Sequence, residues 1–186
     1  MKSAPPKNGR KNEEPSRYSW IVTVFFLALT LSALMSLGSE TVLEGARLPL
    51  AVCILLLFIL LGILFDVVGV AVTAADPRPF HSMAAHRERG AKESLMLLRN
   101  ADRVSSICND VVGDICGIVS GVTAAVIVTA LHARLGGGGI WLSVLITALI
   151  SALTIGGKAL GKPFAIRRCK EVVFFVGRFL SLFRAH

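Results

Sequence analysis

Charge is scarce in this sequence, and acid is scarcer than base. Of its 186 residues, 17% are charged and 54% are apolar, with 12 Asp/Glu against 20 Lys/Arg. An average soluble domain carries roughly 25% charged residues, so an ordinary water-exposed surface is excluded. The four cysteines, Cys53, Cys108, Cys116 and Cys169, follow no knuckle or framework spacing. They read as small packing residues rather than as disulfide or soft-metal ligands. His81 and His86 stand five apart and form no helical ligand pair. No nucleophile–base pair or dyad is visible, which excludes an enzyme reading. The excess of base could suggest nucleic acid, but no basic face accompanied by base-reading or stacking groups is present, so no nucleic-acid partner is expected.

What the sequence has instead is long apolar runs. A stretch of about 18 or more apolar residues is a membrane-helix signal, because about 20 residues rising 1.5 Å each match a hydrocarbon core of about 30 Å. Residues 21–37 and 48–75 form two such runs, and residues 104–133 and 140–157 form two more, interrupted by small or polar residues. The four-span topology this implies places 18 of the 20 basic residues on one side; only Arg47 and Arg134 fall on the other. That bias predicts a multi-pass protein of the cell membrane with both termini in the cytoplasm. The first run, at 17 residues, exceeds the apolar core of a cleaved signal, and Glu13 and Glu14 are atypical before one, so it reads as a retained helix. Residues 1–18, polar and without apolar periodicity, read as a disordered cytoplasmic tail.

Within the spans, composition changes at informative places. The second run is nearly pure aliphatic to Leu64 and then admits Asp66 and Gly69. It is longer than a straight crossing needs, so it either tilts or breaks near Asp66–Gly69. The Asp76-Pro77-Arg78-Pro79 stop follows, then mixed-charge residues 83–100, which predict a juxtamembrane helical hairpin on the inner leaflet with Gly90 at its bend. The tail carries Val172, Phe175, Val176, Phe179 and Phe183 on one stripe and basic residues elsewhere, which predicts an interfacial amphipathic helix in contact with membrane lipids. Ala148, Ala152 and Gly156 stand four apart and form a small-residue face that predicts a homodimer.

A carboxylate at membrane depth costs about 2.5–3.5 kcal/mol even on a lenient insertion scale and needs a cation, a proton or an ion beside it. Three acids qualify. Asp110 and Asp114 share a helix face four residues apart, and Asp66 enters from the same half of the second span. Ser105, Ser106 and Asn109 add neutral oxygens. An all-oxygen set suits a hard cation such as Mg²⁺. The competing reading is a structural network in which these acids accept hydrogen bonds or are held protonated by burial.

From about residue 57 to 182 the chain resembles the transmembrane domain of the cyclin M/CorC family of magnesium transporters. The resemblance lies in residues 65–73 followed by Phe80-His81-Ser82-Met83-Ala84-Ala85 and Arg89-Gly90-Ala91-Lys92. Further along it includes Leu97-Leu98-Arg99-Asn100-Ala101-Asp102-Arg103, Asn109-Asp110 where the family carries an Asn pair, and Ala165-Ile166-Arg167-Arg168. It implies a three-span module with a helical hairpin after its first span, here residues 48–186, preceded by an additional span and outer loop over residues 19–47. The CBS and CorC regulatory domains that usually trail the module have no counterpart in these residues. Where the family reads Ser-Gly-Ser-Glu-Thr, this chain reads Asp66-Val67-Val68-Gly69-Val70. The family's Gly-Glu-x-x-Pro-Lys corresponds to the stretch Gly156-Gly157-Lys158-Ala159-Leu160-Gly161-Lys162-Pro163, without its acid.

The expectation is an all-α, polytopic membrane protein that transports a cation, Mg²⁺ or another hard divalent ion, past Asp66, Ser105, Ser106, Asn109, Asp110 and Asp114. The alternative is a non-transporting assembly factor or regulator, bound to a membrane-protein partner, that keeps the fold and has lost the ion site.

Overall fold

A computed structural model of the chain describes residues 17–43, 48–135 and 139–184. The expected tail over residues 1–18 lies almost wholly outside the described residues, as do residues 44–47 and 136–138 of the two outer connections.

Among the described residues every regular element is a helix, joined by short turns. Four long apolar helices cross-pack: α1 (Arg17–Leu43), α2 (Leu48–Ala74), the compound helix formed by α5 (Ala101–Ser106), a π-helical turn (Ile107–Val112) and α6 (Gly113–Leu135), and α7 (Gly139–Arg167). Each is long and apolar enough to cross a membrane. Two of them run past their expected bounds. The residues read as a loop after Gly38 continue α1 to Leu43, and α7 does not stop near Gly157 but reaches Arg167, through Pro163. Gly157 and Gly161 are packing positions rather than a stop: Gly157 lies against Ile63 Cδ1, and a Cβ on Gly161 would lie 2.8 Å from Val67 Cγ2. Lys158 and Lys162, read as tail residues, therefore belong to the membrane helix.

α2 is the central helix. Its buried positions Ala51, Leu55, Ile59, Gly62, Asp66 and Gly69 recur every three or four residues. That spacing keeps one seam facing the same neighbour along the whole helix. Hydropathy alone does not reveal the seam, because the residues off it are just as aliphatic and face outward, as Leu56, Leu57, Leu60 and Leu64 do. α2 packs on α6 and α7. It is unbroken, so of the two readings of its length the break at Asp66–Gly69 is excluded. α1 packs on the other side of α6, where Val24, Ala28 and Leu31 meet Val111, Ile115 and Val119. At its start, the Arg103 guanidinium sits 4.9 Å from the Trp20 ring centroid, a contact worth about 0.5–2 kcal/mol.

The irregularity expected in α2 occurs instead in the third span. The Gly113 N–H donates to Cys108 O, five residues back, closing a π turn that contains Asn109 and Asp110. Such turns are rare, are common at functional sites, and rotate the residues before them relative to those after.

At the end of the bundle that carries most of the basic residues, here termed the basic end, α3 (Arg78–Ala85) and α4 (Ala91–Arg99) form the expected hairpin. Pro79 stands in the first turn of α3, where its missing N–H is not needed. Gly90 makes the bend at φ 91°, a conformation open to glycine at little cost. α8 (Cys169–Arg184) packs across α4 and α2. A small core of Val67, Ala71, Val72, Phe80, Leu97, Ala165 and Val173 ties these short helices to the spans. The join is close: a Cβ on Gly90 would lie 2.7 Å from Arg178 Cα, and Gly177 packs on Ser94. The buried Ser94 hydroxyl donates to Gly90 O at 2.8 Å and reaches Val173 O at 3.3 Å. The buried face of α8 is thus Val173 and Gly177, while Phe175, Phe179 and Leu182 are exposed along a second apolar face that suits a lipid leaflet.

Candidate functional site

Asp66 sits in the seam between α2 and the third span and is only 6% exposed. Its Oδ2 is buried without a hydrogen-bond partner, and so is Asn109 Oδ1. A buried, unpartnered carboxylate oxygen is costly, so in a native site it points to a proton or a cation. The two oxygens belong to facing helices. Asn109 packs directly against Gly69, where a side chain on α2 would collide with its amide. Gly69 stands three residues after Asp66, on the same side of the helix. Asn109 is held from behind by its amide donating to Ser105 Oγ at 3.3 Å, which fixes its carbonyl oxygen as the group turned toward α2. The glycine admits the amide, the π turn aims it, and the serine orients it.

The six oxygen-bearing residues expected in the site are divided by the structure. Asp66 and Asn109, with Ser105 behind the amide, lie on the seam between α2 and the third span, Asn109 at Gly69, three residues on from Asp66. Ser106 is half-buried beside them in sequence, with no contact to Asp66 or Asn109 among the described hydrogen bonds. Asp110 and Asp114 are exposed and face the other way. With Val24, Phe25, Ala28 and Ser32 of α1 they line a groove of about 400 Å³. Sharing a face with each other did not give them a share of Asp66's face, and among the described residues no cluster of three His, Cys, Asp or Glu forms.

Sequence reasoning missed two polar groups. Ser120, 2% exposed, has a buried hydroxyl oxygen without a partner. Lys158 of α7 turns inward, and a Cβ on Gly113 would lie 3.5 Å from its Nζ. Together with Gly62, Cys116, Ser120 and Thr154 it lines a cavity of about 10 Å³, about the smallest that admits one water molecule. A lysine among Gly and Ala residues at the end of an apolar run reads as a flank. Only the continuation of α7 shows it to be internal.

The family model described as Cyclin M transmembrane N-terminal domain matches residues 52–185. That span covers α2 through α8 and leaves α1 outside it. No curated protein and no solved structure matches the chain.

Proposed function

Because the chain belongs to the cyclin M transmembrane domain family, we propose that it is a membrane cation transport protein whose cation, Mg²⁺ or another hard divalent ion, is held between Asp66 and Asn109. The family points to cation transport across a membrane rather than to catalysis. The observation that carries the reading to these residues is the pair of buried, unpartnered oxygens, Asp66 Oδ2 and Asn109 Oδ1, on facing helices beside the π turn. A carboxylate and an amide carbonyl are hard oxygen donors, and Mg²⁺ is bound through one or two carboxylates with water completing its shell. Ser105 orients the amide. Asp110 and Asp114, on the α1 side, stand outside this set and could serve only at an approach to it.

The basic end faces the cytoplasm of the cell membrane in this reading, because Lys/Arg-rich segments are retained there. The partner is a second copy of the chain. Ala148 and Ala152 of α7 are exposed, and the half-buried Gly156 has nothing within 4 Å of its Cβ position, which permits close approach of another helix.

The test is a Mg²⁺ titration of the purified protein in detergent, followed by thermal shift. Wild type should be stabilised, Asp66→Asn should lose the response, and the double variant Asp110→Asn/Asp114→Asn should retain it. A response lost in the double variant and kept in Asp66→Asn would move the site to the α1 groove. No response in wild type would favour the non-transporting regulator.

A further inference from the structure

Lys158 is an ammonium inside a membrane bundle. The one ion pair among the described residues joins Arg168 and Glu171 on the surface, so no carboxylate lies within 4 Å of the Lys158 amine. Intramembrane ionisable groups are expensive, and their retention points to function. The position of this one along the bundle is informative. Its Nζ lies 3.5 Å from where a Cβ on Gly113 would stand; Gly62 packs on Cys116 and Gly69 on Asn109, so in this antiparallel pair Gly113 stands across from residues 65 and 66. Asp66 lies four residues from Gly62, and Asn109 four residues from Gly113, in both cases toward the basic end. The ammonium is therefore close to the level of the buried carboxylate, and Asn109 lies about one helical turn, about 6 Å, nearer the basic end. On the opposite side, within the same cavity as Lys158, stands the unpartnered Ser120 hydroxyl. Along the α2–α6 seam the order is thus Asn109, then Asp66 with Lys158 near its level, then Ser120, and the cavity lined by Lys158 has room for about one water.

We infer that Lys158 is a tethered cation that plugs the seam beside Asp66, competing with an entering metal ion for the carboxylate and barring its passage toward Ser120. This rests on the assignment of the cation to Asp66 and Asn109. The physical basis is charge. Asp66 and Lys158 sum to zero, so a divalent ion entering between them meets one attraction and one repulsion at similar range, in a setting where water screens little. The ammonium also lacks a fixed partner and sits on a flexible four-carbon stem. It can lean toward Asp66 or toward the Ser120 hydroxyl, which can accept from it. Lys158 thereby sets how tightly the site holds a divalent ion and whether the ion can go further.

The experiment compares the full-length protein with Lys158→Met, Lys158→Gln and Lys158→Arg in detergent, by Mg²⁺ titration with thermal-shift readout, and by Mg²⁺ flux in liposomes of mixed neutral and anionic lipid. Removing the charge should lower the Mg²⁺ concentration at half-response at least tenfold in both the Met and the Gln variants and raise the flux. Arg, which keeps the charge, should stay close to wild type. Two neutral replacements of different polarity guard against one that fails to fold. If both bind Mg²⁺ no more tightly than wild type while Asp66→Asn still abolishes the response, the plug is refuted and the Asp66–Asn109 site stands. If wild type, both neutral variants and Asp66→Asn are all indifferent to Mg²⁺, the site itself fails and the plug fails with it.

Discussion

Gly69→Ala is the smallest perturbation that reaches the proposed site, and its effect can be worked from the packing. The added methyl would coincide with Asn109 Oδ1 and lie 2.8 Å from its Cγ and 3.0 Å from its Nδ2. The amide is short and its other end is tied to Ser105 at 3.3 Å, so it cannot yield by a small bend. It must rotate away from α2. Three contributions follow. Overpacking a filled position costs about 1–3 kcal/mol. The Asn109–Ser105 hydrogen bond, worth about 1 kcal/mol, is lost or remade. Replacing glycine by alanine within a helix returns about 1 kcal/mol. The balance is a destabilisation of about 1–3 kcal/mol, read as a lower melting temperature in detergent. Binding should suffer more. With its carbonyl oxygen turned off the seam, the site is left with one protein donor, and Mg²⁺ affinity should fall at least tenfold, about 1.4 kcal/mol. Gly117→Ala is the matched control, because nothing lies within 4 Å of its Cβ position; it should bind Mg²⁺ like wild type. Wild-type Mg²⁺ affinity and melting in Gly69→Ala would refute the reasoning, since it would mean that Asn109 is not held against α2 or does not touch the ion.

Two other outcomes test the surrounding architecture. Gly177→Ala places a methyl against Ser94 Oγ and 2.6 Å from Gly90 O, backbone that cannot swing aside. It should loosen α8 from α4 at a cost of about 1–3 kcal/mol, detected as a lower melting temperature and faster proteolysis of the α3–α4 hairpin. Ala152→Cys places a thiol on the open face of α7, and oxidation in membranes should give a covalent dimer if a second copy packs there; a monomer under those conditions, with Leu153→Cys equally inert, would remove the small-residue face as a dimer contact.

The topology of this protein was legible because it depends on local quantities. Run length, the Pro77–Pro79 stop and the permissive Gly90 each report on their own neighbourhood, and four spans, the hairpin and the α8 helix all follow from them. Facing was not legible. Through the first half of α2 the side chains on and off the seam are alike aliphatic, so nothing in the pattern distinguishes Leu55, which is buried, from Leu56, which is exposed. The position of Asp66 within that seam emerges only from the three- and four-residue spacing of small and buried positions on both sides of it. The extent of α7 was obscured in a similar way, because Gly156 and Gly157 resemble a helix end until Ile63 is seen to fill the space beside Gly157.

The π turn is the feature on which the site depends, and it has no compositional signature. Asp110 and Asp114 were correctly placed on one face of one helix, but which face that is depends on the register of the residues before Gly113. In a regular helix Asn109 and Asp110 are about 100° apart, as neighbours always are at 3.6 residues per turn, so only one of them can point at α2. The structure gives that direction to Asn109, packed on Gly69, and turns Asp110 toward α1 with Asp114. A choice between two adjacent polar residues, at the turn closed by the hydrogen bond from Gly113 N–H to Cys108 O, is what separates the proposed site, with one carboxylate and one amide, from the set of three carboxylates that the sequence suggested. The one-carboxylate site is also the one that a single lysine, Lys158, can neutralise in full.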